Sequence, residues 1–427
     1  MKKYIKNTLS NPLFSGSVIM ILGSNSVNFI NYFYHLFMGR LLGPSNYGEL
    51  VSLISISGLL GIIPVAMSLS VIKYISATTS EEDKRNLVSW LRIKTFQVSI
   101  IFFIAIILTA PIISSFLHIN KLIYLILIDI SFLFSLATII NRAILQGLLK
   151  FKEMLVTTMI ENFLKLIFGV SLVYLGFHIL GAMTGLVLST AIGWYLTCAY
   201  LNIKAKNNPT KPKILKSMIF FTFLVLLQSF ATTSLYTSDL ILVRHFFSSY
   251  DAGIYASLST LGKIIFFSTG PVGAVMFPIV SHRFSRGEGY KNIFLYSFLS
   301  TMAISLFIIM IYYFIPKFAI NLLYGSAYIQ ASGLLIWFGI FMTLFTLSSL
   351  LISFNLSQNK TKVAILPFIA SVAQILLIWF IHDNIYTVIL ESNVVTALLL
   401  ASLLIYSTYE KWVLPRNKFN ISNSSSV

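Results

Sequence analysis

The sequence is poor in cysteine and in charge, and each shortage excludes something. Its 427 residues hold one cysteine, Cys198, so an internal disulfide and any cysteine-rich metal centre are ruled out. Charged residues make up only 10% of the chain. Soluble domains carry about 25%, so an ordinary soluble fold is excluded. Long polar loops are also missing. No connection exceeds about 20 residues, which leaves no room for a soluble catalytic domain. There is no HExxH, no histidine cluster, no recognisable Ser/His/Asp arrangement and no GxxxxGK[ST] phosphate loop. An enzyme is therefore not expected, nor is a cofactor, a metal or direct use of ATP.

What is present is apolar. Hydrophobic residues are 57% of the chain, with 36 Phe and a mean hydropathy of +0.86. A membrane span needs about 20 mostly apolar residues. Twelve such runs are predicted, at 14–39, 47–75, 95–117, 121–145, 154–176, 179–203, 215–243, 251–281, 293–315, 329–353, 363–382 and 385–408. The first is too long for the core of a cleaved signal peptide. Acidic residues number 13 against 30 Lys and Arg, a formal net charge of +17. Twenty-four of those 30 fall in the amino terminus and alternate loops, such as "KAKNNPTKPKILK". The other connections hold Arg40, Lys121, Arg244 and Lys317. Cytoplasmic loops are the basic ones, so both termini are expected in the cytoplasm. The charge then reflects topology and contact with anionic membrane lipids, and no nucleic acid is implied.

The chain repeats itself. Shifted by 205 residues, "GRLLGPSNYGELVSL" falls on "RHFFSSYDAGIYASL", with Gly48 on Gly253 and Asn46 on Asp251. A second echo pairs "LQGLLKFKEM" with "FNLSQNKTKV". Six spans per repeat is an even number, so the two halves share one orientation. The fold expected is an all-α integral membrane protein with two parallel six-helix bundles around a central cavity. The lobes are drawn at 1–203 and 217–408, with a basic linker at 204–216 and a tail at 409–427. Gly43 and Pro44 are expected to stop the first span. Asn46 and Asp251 are expected to cap the second and eighth.

Polar groups inside spans are costly, about 2.5–3.5 kcal/mol for a charge, so they face a cavity or a partner. Asn28, Asn31 and His35 share one face of the first span, and Gln228, Tyr236 and Asp239 one face of the seventh. Both stripes could line a path, or simply join packed helices. Glu161 and Lys165 form an i,i+4 pair that either neutralises itself or faces a cavity. Lys165 and Lys263 each lie about twelve residues into a span, near the membrane midplane. Two ammonium groups there would suit a phosphate or diphosphate, although each could instead pair with a carboxylate or snorkel. Asp239, Glu161, Asp129 and Glu391 are candidates to carry a coupling proton or Na⁺.

These motifs resemble the polysaccharide transporters of the multidrug/oligosaccharidyl-lipid/polysaccharide (MOP) flippase superfamily. The likeness is carried by "MGRLLGPSNYGELVSLISI", by "SDLILVRHFFSSYDAGIYASLSTLGKI" and by "AILQGLLKFKEM". The resemblance implies a MATE-like fold and alternating access. It implies a lipid-linked oligosaccharide on undecaprenyl diphosphate as substrate, with O-antigen flippases the nearest type. A polysaccharide polymerase and a chain-length regulator would be partners in the bacterial inner membrane. Carried over residue by residue, Arg40, Arg142, Lys165 and Lys263 would meet the diphosphate or acidic sugars, and Asp239 matches the seventh-span acid. The second turn, "FSSYD", departs from the family's frequent Gly-Pro. The alternatives are a multidrug or organic-cation antiporter of the same superfamily, and a polytopic polymerase or ligase.

Overall fold

The computed structural model describes residues 12–119, 121–201, 209–212, 214–358 and 360–413; side chains at 12–22, 24, 224 and 408–413 are not described. Much of the expected linker 204–216 and the tail from 414 lie outside these residues. Among the described residues the chain forms fourteen α-helices and no strand. They are α1 Pro12–Leu60, α2 Ile62–Ala77, α3 Glu81–Phe116, α4 Leu122–Gly147, α5 Phe151–Leu172, α6 His178–Leu201, α7 Leu215–Leu235, α8 Ser238–Phe246, α9 Ser249–Ser285, α10 Lys291–Phe314, α11 Pro316–Tyr324, α12 Leu335–Ser357, α13 Ile365–Phe380 and α14 Ile385–Val413.

Ten continuous helical stretches among the described residues are long and apolar enough to cross a membrane. Two of them, of 53 and 51 residues, are each two crossings. At 1.5 Å per residue each would reach about 75–80 Å if straight. Each turns back at a glycine with positive φ: Gly43 (φ 70°) within α1 and Gly176 (φ 90°) between α5 and α6. Gly176 (ψ 8°) is near the left-handed helical region and Gly43 (ψ 172°) in one open essentially to glycine; each costs an L side chain about 1–3 kcal/mol, which is why glycine holds both positions. Counted this way, the twelve predicted runs are all present as helices.

The two halves pack alike. The first leg of α1 packs on α5, α5 on α6, α6 on α4, and α4 on α2 and α3. In the second half α7 packs on α13, α13 on α14, α14 on α12, and α12 on α9 and α10. Large apolar side chains point outward, including Leu108, Phe307 and Phe380, at 73%, 65% and 77% exposure. Such a surface is stable only against lipid. We call the end of the bundle where α1 begins proximal, and the end bearing Gly43 and Gly176 distal.

Three details differ from the sequence reading. Asn46 is not an N-cap: α1 is helical around it, and its side-chain amide donates to the Leu42 carbonyl at 3.3 Å. The cap of the eighth span is Ser248, whose Oγ accepts from the Asp251 N–H at 3.1 Å and donates to the Asp251 carboxylate at 2.7 Å. The seventh span is broken at Tyr236 and Thr237, between α7 and α8.

Candidate functional site

The polar groups converge where α1, α5, α7 and α9 approach one another at the junction of the two halves. Lys165 on α5 donates to Asn31 Oδ1 on α1, and its Nζ sits 4.8 Å over the Tyr34 ring. Lys263 on α9 lies 5.4 Å over the ring of Tyr236, at the break after α7. Its ammonium makes no hydrogen bond to any described residue. His35, one turn beyond Asn31, lies within electrostatic reach of both lysines. One cation from each half therefore lies within electrostatic reach of His35. Each rests on an aromatic face, worth about 0.5–2 kcal/mol, and neither is neutralised by a carboxylate bond.

The expected Glu161–Lys165 pair is replaced by another. Glu161 accepts from Arg142 on α4 at 2.7 Å, and Arg142 also donates to the Thr157 carbonyl at 2.9 Å. The partner exchange leaves Lys165 bonded to Asn31 and in no ion pair with a carboxylate among the described residues. It also places Arg142 in an ion pair with Glu161, where the resemblance implied a contact with the diphosphate or acidic sugars. Asn28 and Gln228 are half-buried on α1 and α7. Asp239 does not stay in the stripe with Gln228 and Tyr236. Past the break it is wholly buried, accepting from the Tyr255 hydroxyl at 2.7 Å and the Leu240 N–H at 2.8 Å. Asp129 is buried on α4 with neither oxygen bonded within the described residues, and the Glu391 oxygens on α14 are likewise unpartnered there.

Tyrosines roof the junction. The Tyr47 hydroxyl lies 3.3 Å from His35 Nδ1, 3.3 Å from Thr260 Oγ1 and 3.2 Å from the Tyr324 hydroxyl. Those contacts join the first half to the second. Tyr328 adds a bond from its hydroxyl to the Gly39 carbonyl at 2.9 Å.

The distal end is clasped with near two-fold symmetry. Arg40 is not in the central space. Its guanidinium donates to the carbonyls of Asn321 (3.4 Å), Leu322 and Leu323 (3.1 Å), at the carboxyl end of α11, where a cation suits the helix dipole. Arg244 does the converse, donating to the His118 carbonyl at 3.0 Å between α3 and α4. Each half thus ties an arginine to the other half's backbone. Gly48 and Gly253, equivalent by the 205-residue repeat, meet here: a Cβ on Gly48 would lie 2.4 Å from the Gly253 nitrogen.

A family model described as polysaccharide biosynthesis protein matches residues 37–333. The chain belongs to that family. The match spans both arginines of the clasp and both central lysines. A search of curated proteins finds no match to this family member. Among solved structures it is similar to an inward-facing multidrug resistance MATE family transporter of the MOP superfamily, with 14% identity over 91% of this chain and 96% of that one (TM-score 0.73). It is similar also to the lipid II flippase MurJ in an inward closed conformation, with 15% identity over 91% and 87% (TM-score 0.76). A third is a MOP superfamily transporter from Pyrococcus furiosus, with 16% identity over 93% and 96% (TM-score 0.62). The family member therefore has the MATE-like fold of the MOP superfamily.

Sequence reasoning missed Tyr34 and Tyr47. Aromatic residues are 15% of the chain, so these two carried no distinguishing signal. It also missed the break at Tyr236, for which the run "TTSLYTSD", rich in Ser and Thr, was the available clue.

Proposed function

We propose that this protein is a flippase that moves an oligosaccharide linked to a polyprenyl diphosphate, of the O-antigen repeat-unit kind, across the cytoplasmic membrane by alternating access. The observation that carries the reading is the pair Lys165 and Lys263, contributed by different halves, neither in an ion pair with a carboxylate among the described residues, and both within electrostatic reach of His35. A diphosphate brings two or more negative charges to that space. Charge-assisted hydrogen bonds are worth about 1.5–3 kcal/mol each. Asn28, Asn31, Gln228 and Tyr236 supply donors and acceptors suited to sugar hydroxyls. The basic proximal end faces the cytoplasm in this reading, and the polymerase and chain-length regulator act on the product at the opposite face. Asp239, Asp129, Glu161 and Glu391 are the acids available for ion coupling, and no catalytic group is called for.

The test is genetic and biochemical. Deleting the gene should trap lipid-linked repeat units in the cytoplasmic leaflet and abolish the surface polysaccharide. Lys165→Ala and Lys263→Ala should each lower complementation by at least tenfold at wild-type membrane levels, and both together should abolish it. Normal polysaccharide in the deletion strain would overturn the function. Full complementation by the double variant would overturn the site.

A further inference from the structure

A second basic site lies outside the central space, at the proximal base of α3. A cavity of about 480 Å³ between α3, α4 and α6 is lined by Ser89, Arg92, Thr95, Asn141, Trp194 and Cys198, among others. A recess of about 630 Å³ adjoins it, with Ile93 in the lining of both, and is lined also by Trp90, Lys94, Pro209 and Lys211. Among the described residues no acidic side chain lines either space. Arg92 is half-buried, yet its guanidinium makes no hydrogen bond or ion pair with any described residue.

The position of Lys211 is fixed by the fold. The Asn86 side chain donates to the Thr210 carbonyl at 3.0 Å and accepts from the Thr210 N–H at 2.9 Å. Those two bonds hold residues 209–212, just before α7, against the base of α3. Beyond the basic rim, Ile93, Phe96, Ile100, Ile104 and Ile107 stand exposed at three- and four-residue steps, forming one apolar track along α3.

An arginine fork and two ammonium groups suit a phosphate. The track beginning beside them suits an acyl chain, which a free anion does not have. We propose that this recess binds an anionic glycerophospholipid, its phosphodiester held by Arg92, Lys94 and Lys211 and one acyl chain lying along α3. The bound lipid pins the segment leading into the second half to the first half. It would therefore modulate movement between them without entering the central path.

Native mass spectrometry of the full-length protein released from mixed micelles tests this. Phosphatidylglycerol and phosphatidylcholine of identical acyl chains are the probes. Wild type should retain phosphatidylglycerol at least tenfold better than phosphatidylcholine. Arg92→Ala, and separately Lys94→Gln with Lys211→Gln, should each lose that preference about tenfold, whereas Lys121→Gln with Lys317→Gln at the distal end should not. The Lys94/Lys211 pair is on the surface, so it carries the test if Arg92→Ala does not fold. Equal retention of the two lipids by wild type would overturn the proposal, as would an unchanged preference in the Lys94/Lys211 variant. Displacement of phosphatidylglycerol by millimolar inorganic phosphate would also overturn it, by showing a free-anion site.

Discussion

A single methyl group at position 253 should hold the distal end open. A Cβ on Gly253 would sit 1.9 Å from the Pro44 carbonyl oxygen, while ordinary contact begins at 3.4 Å. The helices would have to separate by about 1.5 Å, the difference between those two values. At Gly48 the obstacles are the Gly253 nitrogen and the Ser249 carbonyl oxygen, both at 2.4 Å. All of these are backbone atoms, so no side chain can rotate away. Overpacking of this kind costs about 1–3 kcal/mol, and only the conformer with the distal ends together carries that cost. The balance between distal-closed and distal-open states should therefore move by roughly 5–150-fold. The assay is spin-label distance measurement between cysteines at Lys121 and Lys317, both exposed at the distal end, in a Cys198→Ser background. Gly253→Ala should transfer population to longer distances and lower transport. Gly58→Ala, whose Cβ would meet nothing within 4 Å, should change neither. Wild-type distances and transport in Gly253→Ala would refute the argument that this backbone crossing seals the distal end.

The arginine clasp should respond in the same assay. Arg40→Ala and Arg244→Ala should each weaken distal closure by about 1.5–3 kcal/mol, the worth of a charged hydrogen bond, and unchanged distances in both would exclude the clasp. Arg142→Ala should destabilise the first half by about 3 kcal/mol, the low end for a broken buried pair, because both partners keep a little exposure (14% and 16%). Arg142→Ala with Glu161→Ala should recover part of that loss, and thermal unfolding in detergent reads both. Equal melting temperatures for the single and double variants would show that the charge left behind is not the cause. Gly43→Ala should cost about 1–3 kcal/mol, because φ 70° with ψ 172° is backbone open essentially to glycine alone. No change in melting for Gly43→Ala would argue against that turn geometry.

The twelve spans, the duplication and the reversal at Gly43 could all be read from the chain. Each is written in a local signal, either an apolar run of membrane length or a glycine where the backbone must turn. The partners inside the membrane were not legible. Periodicity put Glu161 and Lys165 on one face of α5, and an isolated helix would pair them. Arg142 lies 19 residues before Glu161, and only the packing of α4 on α5 brings it to 2.7 Å. Arg40 shows the same limit. Its sequence neighbours suggest a substrate contact, but its bonds go to carbonyls more than 280 residues away. Charges in low dielectric take whichever partner the tertiary fold supplies, and sequence spacing within one helix does not decide among them.

The duplication gives the distal end and the centre different character. Gly48 faces its own repeat, Gly253, and Arg40 and Arg244 reach across in matching fashion, so distal closure is built from symmetric parts. The centre is not symmetric. Offsets of 205 to 209 residues, the two found in the repeat, place Lys165 opposite positions 370–374 and Lys263 opposite positions 54–58, and neither stretch holds a cation. The two ammonium groups thus come from non-equivalent spans, the fifth and the eighth, and both lie within electrostatic reach of His35. A symmetric gate lets both halves move as like bodies. An asymmetric centre can distinguish the ends of a ligand that is itself asymmetric, with a charged diphosphate on one side and sugars on the other. Moving the cation should test that division. Lys165→Ala combined with Gln374→Lys, at the repeat-equivalent position buried on α13 beside Ser392, keeps the net charge of the chain but moves it into the second half. It should leave distal closure at wild-type distances while transport stays lost. Restored transport would show that charge alone, wherever it is supplied, is what the centre provides.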